Sequence, residues 1–209
     1  MLFRYISQYT VDMNETKEMK SMIQDIERKA NCWEKDRPFL IAIDGRCASG
    51  KTTFAAQLSE VLHCPLIHMD DFFLRPEQRS QERYAEPGGN VDRERFAEEV
   101  LKPLKEGRPF RFQKLECPAL VLGEWRDIPA CRAAVIEGSY CLHPELRDAY
   151  DLTIFMDIDP EVQLERLKKR NIERFPMFVE KWIPLEEAYI KAFDIPSHCD
   201  YCIGTSNLF

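Results

Sequence analysis

Residues 41–55 read IAIDGRCASGKTTFA, an apolar run followed by Gly45, Ser49 and Gly50 ahead of Lys51 and two threonines. Gly45, four residues, Gly50, Lys51 and Thr52 match the phosphate-loop pattern G-x-x-x-x-G-K-[ST]. In such a loop the glycines let backbone N–H groups approach an anion, and the following helix presents its positive dipole end. Lys51 is then expected to reach the β/γ-phosphates and the Thr52 hydroxyl to ligate Mg²⁺. Phe39 to Asp44 reads as a short buried strand, and Phe54, Leu58, Val61 and Leu62 recur at helical spacing behind the loop. This strand–loop–helix context predicts a nucleoside triphosphate site built from Gly45, Arg46, Cys47, Ala48, Ser49, Gly50, Lys51, Thr52 and Thr53.

The rest of the composition narrows the class. A chain of 209 residues can bury one sizeable core, and 44% apolar with 31% charged residues is ordinary for a globular protein. No apolar run approaches a membrane span, and the opening MLFRYISQYTVDMNE lacks a continuous apolar signal region, so the expected place is the cytoplasm. The eight cysteines are read as reduced thiols, and Cys199-x-x-Cys202 lacks further ligands at zinc-motif spacing. A net charge of −7 argues against nucleic acid as the main partner. A small-molecule substrate is expected, with a homo-oligomer left open.

Strands and helices alternate along the chain. Met19, Met22, Ile23, Ile26, Ala30 and Trp33 predict an amphipathic helix before the first strand. PLIHMD reads as a second strand, followed by an irregular stretch with Pro76, Pro87, Gly88 and Gly89, a candidate substrate loop because long structureless segments are usually functional or disordered. A helix from about Asp92 buries Phe96, Val100, Leu101 and Leu104, and short extended pieces surround Pro118 and Gly123. The strands AAVIEG and DLTIFMDID, a helix from Pro160, another from about Phe178 to Phe193 and a last strand near DYCIG complete the series. Such alternation predicts an α/β fold with a parallel sheet and helices on both faces, its ligands at the carboxyl ends of the strands.

That rule directs attention to strand-end acids. Asp70 and Asp71 stand where the second strand is expected to stop, and Glu137 ends AAVIEG. If the strand persists through the pair, the two aspartates face opposite ways. Asp159 before Pro160 fits a helix N-cap. In the helix that follows, Glu161, Glu165, Lys169 and Glu173 form a solvated stripe, whereas Val162, Arg166, Arg170 and Arg174 form a basic one without acids at the same spacing. Such a basic stripe could clamp phosphates.

In order along the chain, GRCASGKTT, HMDDFF, PGGNVDRERF, VIEGSY and FMDIDPEVQLERLKKR resemble the motifs of the uridine kinase and phosphoribulokinase-like P-loop kinases. HMDDFF is also similar to the matching motif of nicotinamide riboside kinases. The resemblance runs from about Phe39 to Gly204. It implies a P-loop NTPase-type three-layer sandwich: a five-stranded parallel sheet flanked by helices with a helical lid, transferring phosphate from ATP to a hydroxyl of a small, often ribosyl, acceptor. Residues 38–209 would form the kinase domain, and residues 1–37 a helical extension packed on it. The resemblance implies catalytic roles for Lys51, Asp70, Arg166 and Arg170, with Asp70 as general base and the two arginines in the lid helix. It gives Mg²⁺ to Thr52 and Glu137, and the substrate to Asp70, Asp92 and Arg166, although Asp92 reads equally as a helix N-cap.

One stretch departs from the pattern. Pyrimidine-nucleoside kinases carry an aromatic and a histidine in the hairpin that reads the base, whereas here the stretch is FQKLECPALVLGEW, without histidine. The acceptor is therefore left open, with pantothenate or a sugar as alternatives to a nucleoside or riboside. A nucleotide-binding protein without kinase activity is the other reading. A regulatory GTPase would need a guanine-reading N-K-x-D segment, which does not occur.

Overall fold

The computed structural model describes residues 13–116 and 119–207. The reading of residues 1–12 and the piece at Pro118 lie outside them. A helix, α1 (Met13–Asn31), precedes β1 (Phe39–Gly45), the phosphate loop and α2 (Lys51–Val61). The remaining strands are β2 (Leu66–His68), β3 (Phe110–Glu116), β4 (Val121–Ile128), β5 (Ala133–Glu137), β6 (Leu152–Asp157) and β7 (Tyr201–Gly204). Five of them form one parallel sheet in the order β2-β5-β1-β6-β7, and β3 with β4 forms a separate antiparallel hairpin.

Alternation along β1 divides its side chains between two cores. Phe39, Ile41 and Ile43 join Met22, Ile26, Phe54 and Leu58 on the face covered by α1 and α2. Leu40 and Ala42 face Ile67, Phe72, Phe96 and Phe155 on the other side. With both faces buried, the strand reads as an unbroken apolar run. Trp33, assigned by its spacing to the first helix, lies beyond its end and packs against Phe39 with the rings tilted by 59°. Val61, expected to be buried, is exposed at the last turn of α2.

The irregular stretch after β2 is more ordered than its sequence suggests. Met69–Phe72 and Pro76–Gln78 are short 3₁₀ turns, and Gln81–Ala85 is a short helix capped by Ser80. Two longer helices contain π-helical turns. Residues 93–105 pass through one at Ala97–Leu101, before Pro103, and residues 175–193 through another at Phe178–Trp182, before Pro184. Each proline lacks the N–H that would bond four residues back, and the widened turn just ahead of it absorbs the missing bond. Among the described residues, no helix is long and apolar enough to cross a membrane.

Candidate active site

The phosphate loop joins the carboxyl end of β1, at the sheet's centre, to α2. Gly45 sits at φ 143°, and a Cβ there would lie 2.1 Å from the Met156 carbonyl oxygen on β6, so only glycine fits this close approach. Gly50 caps α2 in the left-handed region at φ 90°. Lys51 Nζ donates to the carbonyls of Gly45 at 2.7 Å and Arg46 at 2.9 Å, stitching the loop closed. The buried Ser49 hydroxyl has no partner among the described residues, as an oxygen left for a ligand would. Thr52 and Thr53 are exposed at the start of α2.

Acids gather beside the loop. Glu137, buried at the end of β5, accepts from the Thr52 hydroxyl at 3.4 Å through both carboxylate oxygens, and His68 Nδ1 lies 2.5 Å from Glu137 Oε1. The Glu137 hydrogen bond raises the His68 pKa. Asp70 opens to solvent on one side, but the protein around it and the Glu137 charge raise its pKa, against Lys51 and His68. The strand stops at His68, so Asp70 and Asp71 lie on a 3₁₀ turn rather than alternating along a strand. Asp71 Oδ2 is buried without a partner among the described residues, and burial raises that carboxyl's pKa too.

Among the described residues, no three His, Cys, Asp or Glu side chains form a protein-only metal cage. Mg²⁺ does not require one: it keeps waters and takes one or two carboxylates together with phosphate oxygens. The Thr52 hydroxyl and Glu137 carboxylate are hard oxygen donors of that kind, the first just behind the loop expected to hold the phosphates and the second at the end of the neighbouring strand β5.

Asp92 is the N-cap of the 93–105 helix, accepting from Arg95 N at 3.1 Å, while its other oxygen accepts from Gln78 Nε2 at 2.7 Å. Asp159 caps its helix as expected, accepting from Glu161 N at 2.9 Å. The basic stripe is shorter than its spacing suggested, because the helix Pro160–Arg170 ends before Glu173 and Arg174. Arg166 donates to the carbonyls of Ala48, Thr205 and Ser206, so it braces the loop against the chain after β7. Arg170 is exposed at the helix end.

Several site residues escaped the sequence reading. Asp44, 1% exposed, accepts from the backbone N–H groups of Gly45, Tyr140 and Leu142 and from the Tyr189 hydroxyl. Burial pushes its pKa up to about 6, against the pull of Leu142 N–H and the Lys51 charge. It too ends an apolar strand, the signal already applied to Asp70 and Glu137. Glu186 accepts from Cys47 N at 2.8 Å and from the Ser139 hydroxyl, and Glu187 and Asp157 pair with Arg46. Burial and the Glu186 charge push the Cys47 thiol up to about 12, so it stays protonated at neutral pH. No local pattern in the 175–193 helix marks its two acids for the phosphate loop.

No family model matches the chain. Mouse uridine-cytidine kinase-like 1 is 29% identical over 167 residues, 75% of this chain and 30% of that protein. Yeast (Saccharomyces cerevisiae) uridine kinase is 31% identical over 154 residues, 65% of this chain and 29% of that protein. The chain thus spans about 30% of the length of these relatives. Among solved structures, a possible uridine kinase from Bacillus stearothermophilus superposes with a TM-score of 0.65 at 19% identity, covering 89% of this chain and 99% of that one. A D-glycerate 3-kinase from Cryptococcus neoformans reaches 0.55 at 14% identity, covering 85% and 88%. The chain resembles the uridine kinase-like P-loop kinases in sequence and has their fold.

Proposed function

We propose that the chain is an ATP-dependent phosphotransferase acting on a hydroxyl of a small metabolite, with a nucleoside or riboside as the leading acceptor class. One observation carries this reading: the loop with Lys51 and Thr52, the Glu137 carboxylate and the Asp70 turn follow the ends of three neighbouring parallel strands, β1, β5 and β2. The names of the sequence relatives support a nucleoside. A fold shared with a glycerate kinase, together with a hairpin lacking histidine, supports weighing pantothenate and sugars beside it. Seven free cysteines among the described residues support a reducing compartment, the cytoplasm.

In this mechanism, ATP with Mg²⁺ supplies the transferable phosphoryl group and neutralises its charge. The backbone of residues 45–53 would cradle the phosphates, Lys51 would meet the β/γ oxygens, and Thr52 with Glu137 would hold the cation. His68 fixes the Glu137 carboxylate through its 2.5 Å contact. Asp70 accepts the proton of the attacking hydroxyl, and its raised pKa makes it a stronger base than an ordinary aspartate. Arg170, exposed at the end of its helix, would meet charge that develops during transfer.

The test is ATP consumption with and without a panel of nucleosides, ribosides, pantothenate and sugars. Acceptor-dependent turnover is expected, and Asp70→Asn should lower kcat by roughly 10²–10⁴-fold while Asp71→Asn costs much less. ATP binding without turnover on any acceptor would leave a nucleotide-binding protein that is not a kinase. Reversal of the two variants would move the base to Asp71.

A further inference from the structure

The β3–β4 hairpin pairs its outward cation and leaves its inward one open. Arg111 and Asp127 are opposite residues on the two strands and form an ion pair at 3.1 Å. Their neighbours Phe112 and Arg126 are also opposite, so they share the other face. Phe112 is fully buried and packs on Phe72 with ring centroids 5.2 Å apart, which turns this face toward the Met69–Phe72 turn. Arg95 fixes the approach: it donates to the Asp71 carbonyl at 2.7 Å and to the Gln113 carbonyl at 2.9 Å, bridging the turn to β3. Lys114, the next residue, and Arg126 both bear electrostatically on Asp71, and Arg126 on His68 as well. Yet among the described residues neither has a hydrogen bond or ion pair to a carboxylate. In a chain with 36 acids against 29 lysines and arginines, two unpaired cations facing the Asp70–Asp71 turn stand out.

We propose that Lys114 and Arg126 bind a negatively charged group on the acceptor, a carboxylate or phosphate separate from the hydroxyl that receives the phosphoryl group. This rests on the kinase reading above and names its substrate class. The site divides by charge: Asp70 and Glu137 stand on the side of the phosphate loop, where Lys51 and the metal offset them, and the cations stand on the side of the hairpin. An acceptor anchored at the cationic end presents its hydroxyl to Asp70. A neutral nucleoside would leave both cations with Asp71 as the one acid on which they bear, and without a direct contact to an anion.

The experiment measures kcat/KM for matched acceptors that differ by one anionic group: uridine and orotidine, glycerol and glycerate, and fructose and fructose 6-phosphate. In at least one pair the charged member should be preferred by about 10- to 100-fold, the range for hydrogen bonds to charged groups. The first two pairs report a carboxylate and the third a phosphate. Lys114→Gln with Arg126→Gln should remove that preference, and Arg126→Lys should keep most of it. Because a ratio is read on one preparation, a general loss of folded enzyme cancels. Turnover that favours the neutral members, or a preference unchanged by the double substitution, overturns the proposal while leaving the kinase reading in place. No acceptor-dependent turnover with the six compounds or with any member of the wider panel overturns both.

Discussion

Asp44 shows how much a single residue can hold. Four donors from three separate segments converge on one carboxylate: Gly45 at the start of the phosphate loop, Tyr140 and Leu142 after β5, and Tyr189 on the 175–193 helix. Its folded pKa of about 6 lies above the ordinary value of 3.8, so the folded chain binds the proton more tightly than the unfolded one. Between these values stability must therefore fall as pH rises, by roughly 3 kcal/mol from this group, at 1.36 kcal/mol per pKa unit. Asp44→Asn cannot lose a proton and should show a flatter stability profile over that window. It should also be less stable at neutral pH by about 1–3 kcal/mol, since an amide nitrogen cannot accept from the donors around it. Urea denaturation of both proteins from pH 4 to pH 7 checks this, and parallel profiles would assign the titration elsewhere.

At the scale of elements, the 175–193 helix closes on the phosphate loop through two consecutive acids. Successive helical side chains diverge by about 100°, so Glu186 and Glu187 grip different sides of the loop, at Cys47 N and Arg46. Glu186 is 4% exposed, and Glu186→Ala leaves the Cys47 N–H without its acceptor and the Ser139 hydroxyl with only the Gly45 carbonyl at 3.3 Å. A loss of about 1–3 kcal/mol is expected, read as a lower thermal midpoint. An unchanged midpoint would mean that water replaces the carboxylate at no cost. Local signals made β1, the loop and α2 legible in the sequence: a doubly buried apolar run, two glycines at fixed spacing and a helical apolar stripe. The Glu186 contact was not legible, because it joins residues 139 positions apart and nothing in either segment points to the other. The condition set on Asp71 fails for a related reason. Strand alternation would have to run three residues beyond His68 to reach it, and there the backbone turns into a 3₁₀ helix instead.

Across the whole molecule, Arg166 and Arg170 look equivalent in sequence and are not. Arg166 ties the loop at Ala48 to the chain after β7 through carbonyl oxygens, whereas Arg170 lies open at the end of the same helix. Arg166→Ala should therefore lower stability by about 1–2 kcal/mol in urea denaturation, the loss of part-buried hydrogen bonds from a charged donor. Arg170→Ala should change stability by less than about 0.5 kcal/mol and instead lower kcat more than it raises the KM for ATP. Equal stability losses in both would show Arg170 to be a bracing residue as well.

The hairpin joins this braced assembly through side chains alone, Phe112 on Phe72 and Arg95 across to the Asp71 carbonyl, since neither β3 nor β4 joins the ladders of the five-stranded sheet. Exchanging or lengthening it would break no strand pairing around the loop that holds the nucleotide. The outward face of this ribbon, Arg111 and Asp127 among it, can thus change without disturbing the ladders that carry the phosphate loop.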